Sequence, residues 1–349
     1  MKTESNNWVF YIDVLKLISV FFVIYYHAFM VDIDILSMRL GAFINYALHA
    51  VFSICVPMFF LVNGFLLLRK PLDIKKHTTR MFKLVLCVVF WNAICALLNL
   101  LMDHNFNVRD YARKLLSADY MWFLQALFIV YVFSPMIKHV FDNAKSLFYW
   151  FFAVTAILTF GNETIAIVVN YAEYALGVNY LDFSYNFFGD FNAFKGVYGY
   201  PIVYFMMGGI IQEIRKPPCH ILIAGGLISW FFLALYGCMM TFSNNELYDI
   251  VFMGYDKIFT FALTVFVFLL VAQIGFKKES VVVTRISAST LGIYCVQQPI
   301  VAMAKRMFPT FIGANLLFNL FSAVLILLIC FCIVSLLKKV PGIRKLIAL

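Results

Sequence analysis

Residues 8–29 read Trp-Val-Phe-Tyr-Ile-Asp-Val-Leu-Lys-Leu-Ile-Ser-Val-Phe-Phe-Val-Ile-Tyr-Tyr-His-Ala-Phe, an apolar run carrying Asp13, Lys16 and His27. About 20 apolar residues are enough to cross a bilayer. An ionisable group inside such a run costs several kcal/mol unless it faces protein, water or another charge, so each of the three is a functional candidate. Lys16 and His27 are eleven residues apart. On an α-helix this is roughly 16 Å of rise and about 1100° of rotation, only ~20° from three full turns. Both side chains therefore leave one face at two depths, a geometry suited to a long charged ligand with its head at Lys16 and its reactive end at His27.

The composition around this run is that of a polytopic membrane protein. Hydrophobic residues make up 64% of the chain and charged residues 13%, against ~25% charged in globular proteins. The 40 Phe and 19 Tyr are expected as lipid-facing bulk and interfacial anchors. No cleavable signal is expected, because the N-terminus lacks a charged region, a short apolar core and a small-residue cleavage site in sequence. Seven of the eight cysteines (Cys55, Cys87, Cys95, Cys238, Cys295, Cys330 and Cys332) fall in apolar runs and read as small buried hydrophobes. No Cys/His cluster has metal-ligand spacing, so no metal is expected. The net charge of +9 follows membrane topology, and nucleic acid is not an expected partner.

Ten candidate spans are expected: Trp8 to Val31, Ala47 to Leu68, Met81 to Met102, Met121 to His139, Leu147 to Phe160, Phe194 to Ile214, Ile221 to Phe242, Ile258 to Phe276, Leu291 to Met307 and Ala314 to Leu337. The fold class is all-α, with both termini cytoplasmic and residues 1–349 forming one transmembrane domain. With the N-terminus inside, 18 of the 27 Lys and Arg lie on the cytoplasmic side and 12 of the 18 Asp and Glu outside, as the positive-inside rule requires. The densest basic cluster, Arg69 to Lys83, reads either as a topological anchor or as a phosphate site. Val108, Tyr111, Ala112, Leu115 and Leu116 have the spacing of a short amphipathic surface helix between Asp103 and Asp119. The outer stretch from Gly161 to Ala193 brings Tyr, Asn and Asp together, which suits a saccharide and equally an ordinary membrane interface.

Several of these segments resemble one family in order. Tyr11-Ile-Asp13-Val-Leu-Lys16, ten residues and then His27 resemble the N-terminal signature of the acyltransferase-3 family of ten-helix membrane acyltransferases, in which Arg usually precedes His at that spacing. Pro57-Met-Phe-Phe-Leu-Val-Asn63-Gly64-Phe65 resembles its Phe-rich run ending in Ser-Gly-Phe, and Arg80-Met-Phe-Lys83 the basic start of its third helix. Met121-Trp122-Phe123-Leu124, with Tyr131 and Pro135, resembles its Trp-Phe-Leu stretch. Leu291-Gly-Ile-Tyr294-Cys-Val-Gln297 resembles a Gly-Ile-Tyr motif that often ends in His. Three departures stand out. Lys16 replaces Arg and loses the bidentate fork, Gln297 stands where a titratable His is common, and Asn63 replaces Ser.

The resemblance implies transfer of an acyl group, most often acetyl from cytoplasmic acetyl-CoA, to a hydroxyl of an extracytoplasmic envelope glycan or lipid-linked saccharide, in the inner or plasma membrane of a bacterium. His27 is the candidate base or nucleophile, since a neutral imidazole does either near pH 7. Lys16, Arg69, Lys70 and Arg80 are candidates for the donor phosphates. Asp13 is expected to pair with Lys16 one turn away. His49, Asn63, Trp122, Tyr294 and Gln297 are candidates for the pocket, whereas His77, His104, His139 and His220 read as solvated. The oligomeric state is open, a homodimer included. The rival class is a transporter or flippase of a lipid-linked saccharide, but the paired broken helices of transporters are not visible in the sequence. A non-catalytic membrane sensor or assembly protein is a third.

Overall fold

The hydrophobic run bearing Lys16 and His27 forms the central element. In the computed structural model, which describes residues 4–28, 33–103, 109, 112–113, 121–182, 185–215, 217–276, 278–308 and 316–347, helix α1 spans Glu4–Ala28. It is followed by α2 (Leu40–Val51), α3 (Cys55–Arg69), α4 (Ile74–Asp103), α5 (Trp122–Asn143), α6 (Lys145–Ala156), α7 (Asn162–Ala175) and α8 (Tyr200–Ile210). Then come α9 (Cys219–Asn244), α10 (Ile258–Gln273), α11 (Val281–Ser287), α12 (Thr290–Met307), α13 (Leu316–Leu337) and α14 (Pro341–Ile347). No strand occurs among the described residues. Helix α1 packs against α3, α10, α11, α12 and α13, burying Leu15, Val20 and Ile24 fully.

Each of the ten expected segments overlaps a helix, although the one expected from Phe194 to Ile214 is α-helical only over Tyr200–Ile210. Seven segments are long and apolar enough to cross a membrane, and α8 and α10 are shorter apolar helices; α12 is the tenth, less apolar element. Burial separates core from periphery: in an apolar 18-residue window 78% of the α2–α3 segment is buried, against 28% for α9 and for α13, which leave Phe231, Leu317 and Phe321 exposed as a lipid-facing surface would. The surface helix expected between Asp103 and Asp119 lies largely outside the described residues, as does His104.

Two features position the interior. Helices α3 and α8 touch backbone to backbone: a Cβ on Gly64 would lie 1.8 Å from the Phe205 carbonyl oxygen, and one on Gly208 2.2 Å from that of Leu61. Small residues at such a crossing are the membrane solution to close helix packing, and they explain the glycine in the Asn63-Gly64-Phe65 motif. The second feature corrects the expected end of the fifth span at Phe160. The helix runs on from α6 through a π-helical turn (Ile157–Gly161) into α7, giving one 31-residue apolar segment. Asn162 and Glu163 look like loop residues locally, but both are buried. Glu163 pairs with buried Lys257, which also lies 3.3 Å from Asp256, and a buried charge survives when it is paired and hydrogen-bonded. The front half of the stretch proposed as a saccharide-facing loop is therefore helix.

Candidate active site

Around the middle of α1, five of the expected residues converge. Lys16, Asn63, Lys70, Arg80 and Tyr294 line one cavity of about 300 Å³, together with Phe59, Phe123, Tyr131 and Ser287. On α3 the lining runs from Lys70 at the helix end back to Phe59, roughly 16 Å of rise. The cavity is thus a shaft with cations at its mouth and aromatic rings at depth. Asn63 spans it, donating to the Phe59 carbonyl at 2.8 Å and accepting from the Tyr131 hydroxyl at 3.1 Å, so the Asn in place of Ser keeps its hydrogen bonding. Among the described residues none of Lys16, Lys70 and Arg80 has a carboxylate within 4 Å. Unbalanced positive charge of this kind favours a polyanionic ligand.

Lys70 and Arg80 also border a second recess of about 340 Å³, lined by Lys76, His77 and Lys138, which extends the mouth of the shaft. Asp73 builds this region: its carboxylate accepts from the Lys76 amide at 3.0 Å and so caps the start of α4. That amide bond, followed by the Lys76 side chain, holds the Asp73 carboxyl below the usual carboxylate range. His77, expected to be solvated, is instead buried inside α4, with Nε2 2.8 Å from the Tyr131 carbonyl and 3.3 Å from the Ser134 hydroxyl. It ties α4 to α5 and fixes Arg80 one turn further on. His139 and His220 are exposed.

Two of the expected assignments are corrected. Arg69 does not line the shaft but a separate cavity on another face of α3, because successive helical residues diverge by 100°. Asp13 makes no ion pair with Lys16 within 4 Å; its carboxylate accepts from the Ser287 hydroxyl at 2.6 Å. It is buried behind the cavity, so it holds α11 to α1 and remains only an electrostatic neighbour of Lys16.

His27 sits at the other end of α1. Its ring nitrogens lie 3.2 and 3.3 Å from the Gln298 side-chain amide. Gln298 is one turn beyond Tyr294 on α12, about 6 Å along the axis and on the same face, so the imidazole lies roughly one helical turn past the deep end of the shaft. The preceding residue, Tyr26, donates to the Asp249 carboxylate at 2.6 Å, and His49 packs against the Tyr26 ring at 5.6 Å. Asp249 also accepts the Val251 and Phe252 amides, fixing a turn in the loop that leaves α9 through Asn245 in a left-handed cap. Trp122 belongs to this second cluster rather than to the shaft: it stacks on Tyr255 at 5.8 Å. Gln297 is fully buried and neither atom of its amide has a partner among the described residues.

Gln298 and Asp249 were not among the sequence candidates. The motif placed attention on position 297, and only the i, i+4 step from Tyr294 singles out Gln298. No group of three His, Cys, Asp or Glu side chains placed to hold a metal ion occurs among the described residues.

Set against known proteins, the chain matches a family model described as an acyltransferase domain over residues 9–335. No curated protein and no solved structure matches it.

Proposed function

The chain belongs to the acyltransferase-3 family and is a membrane acyltransferase, and we propose that it carries an acetyl group from cytoplasmic acetyl-CoA to a hydroxyl of an extracytoplasmic envelope glycan or lipid-linked saccharide. The observation that carries this reading is the shaft itself: cations at one end, aromatic walls, and an imidazole one helical turn beyond the other. Lys70 and Arg80, with Lys76 and Lys138 in the adjoining recess, would hold the donor phosphates. Lys16, deeper on α1, would meet the polar arm, and Asn63 and Tyr294 the chain leading to the thioester.

At the far end His27 takes the proton of the acceptor hydroxyl as its oxygen attacks the thioester carbonyl. The carbon–sulfur bond breaks, and CoA leaves as the thiol once it regains a proton. In the covalent variant the imidazole nitrogen receives the acyl group first and passes it to the hydroxyl. Gln298 holds the ring, and Tyr26, fixed by Asp249, borders it. The rest of the proposal is topological: one domain of ten spans, both termini cytoplasmic, in the inner membrane of a bacterium.

The test is CoA release and label transfer from radiolabelled acetyl-CoA, with membranes holding wild type, His27→Ala and Lys16→Ala at matched levels. Wild type is expected to label an envelope fraction and His27→Ala to lose it. Lys16→Ala should recover at high donor concentration, because it weakens binding rather than chemistry. Undiminished transfer by His27→Ala would refute the assignment. Absence of transfer by every variant, with native acceptors present, would refute the reaction.

A further inference from the structure

Helix α12 carries the Gln298 amide that meets His27 and then runs on to Met307. Its last turn holds two cations, Lys305 and Arg306. A basic residue at that position complements the helix dipole and can reach out to headgroups, and exposed Arg306 suits the role. Lys305 does not, because it is half-buried. It lies seven residues after Gln298, roughly 10 Å of rise and only ~20° from two full turns, so it stands on the same face, over the His27 end of α1. Electrostatics agrees with that register: the Lys305 charge is one of those that act on the His27 ring.

A buried ammonium is costly unless something neutralises it. Among the described residues no carboxylate lies within 4 Å of Lys305. Asp249, the acid beside Tyr26, is engaged elsewhere, accepting from the Tyr26 hydroxyl at 2.6 Å and from the Val251 and Phe252 amides at 3.1 Å. Ala302, four residues after Gln298 and three before Lys305, is small and partly exposed, so a methyl group rather than a bulky wall separates the two side chains. A half-buried cation with no carboxylate and with room between it and the imidazole is suited to an anion. That anion is not the donor's. The donor phosphates belong at the mouth of the shaft, and the order leading away from it is Lys70 and Arg80, Tyr294, Gln298 with His27, and then Lys305.

We propose that Lys305 selects the acceptor: the molecule whose hydroxyl meets His27 carries an anionic group, a phosphate ester or a carboxylate, within about one sugar residue of that hydroxyl. This rests on the acyl-transfer reading above and narrows its acceptor to an acidic one. A neutral glycan would leave the ammonium half-buried without a counter-charge.

Membranes holding wild type, Lys305→Gln, Lys305→Arg and Arg306→Gln at matched levels receive radiolabelled acetyl-CoA and graded amounts of an envelope extract containing lipid-linked saccharide and polysaccharide, and the labelled product is passed over an anion exchanger. Wild type should place its label in product that the exchanger retains. Lys305→Gln should need about tenfold to a hundredfold more extract for the same rate, the loss of one charge-assisted contact, with KM for acetyl-CoA unchanged. Lys305→Arg should keep most of the affinity. Arg306→Gln, which removes the same charge from the exposed side of the same turn, should behave as wild type. Mild acid cleaves a glycosyl phosphate and spares a carboxylate, so product that loses its retention after acid carried the phosphate. Neutral product from wild type would overturn the proposal, as would an acceptor dependence unchanged in Lys305→Gln or shifted equally in Arg306→Gln. No label from wild type would refute acyl transfer and the acceptor site with it, whereas the other adverse results leave acyl transfer standing.

Discussion

Replacing Lys70 and Arg69 one at a time by alanine separates the two sides of α3. Lys70 is exposed at the shaft mouth, where a charge about 4 Å from a phosphate contributes ~1 kcal/mol in a water-like dielectric. Its removal should therefore raise KM for acetyl-CoA about fivefold. Arg80 is partly buried and borders both the shaft and its recess. A charge-assisted contact there is worth ~1.5–3 kcal/mol, so Arg80→Ala should cost about tenfold to a hundredfold. Arg69 points about 100° around the helix from Lys70, which at a side-chain radius of ~5 Å places its charge about 8 Å away. At that distance the water-like Coulomb energy is ~0.5 kcal/mol, and screening at physiological salt reduces it to ~0.2 kcal/mol. Arg69→Ala should therefore leave donor KM nearly unchanged. The assay is initial-rate CoA release against acetyl-CoA concentration in reconstituted vesicles, at two salt concentrations, with the Lys70 effect shrinking at the higher. A rise in KM for Arg69→Ala equal to that for Lys70→Ala would refute the assignment of the two cations to different cavities.

Two further outcomes follow from packing. Gly64→Ala places a methyl 1.8 Å from the Phe205 oxygen, where ordinary contact begins at 3.4 Å. The backbone cannot absorb that shortfall, so the melting temperature in detergent should fall by the equivalent of ~3 kcal/mol or more, while Gly41→Ala on α2, with nothing within 4 Å, should leave it unchanged or slightly higher; equal effects would contradict the α3–α8 contact. Gln297→Met removes an amide buried without partners and should raise the melting temperature by the equivalent of ~1 kcal/mol while lowering turnover, and a loss of stability would show that the amide is bonded in the folded protein.

The helical segments were legible because hydropathy is a local signal, and each of the ten expected segments overlaps a helix. The end of the fifth was not, because Glu163 reads as a loop residue until Lys257, 94 positions away, neutralises it. The shaft cations could be seen as a basic cluster, but which of Arg69 and Lys70 faces the ligand depends on how α3 is rotated against α8, and that is set by Gly64 and Gly208 meeting backbone. Asp13 next to Lys16 looked like a helix-surface pair, yet Ser287, 274 residues on, competes for the carboxylate. His27 stood out as an ionisable group in an apolar run, while its neighbour Gln298 carries no such signal and is 271 residues distant.

A shaft open to one side that stops one helical turn short of His27 has a thermodynamic consequence for the reaction proposed above. The donor reaches across with its own arm while its nucleotide stays at the mouth, so no part of the protein has to alternate between inward- and outward-facing forms. The free energy of thioester cleavage then gives the transfer its direction. Acylation on the far face would run without an ion gradient, and the spent thiol would be returned to the compartment from which it came.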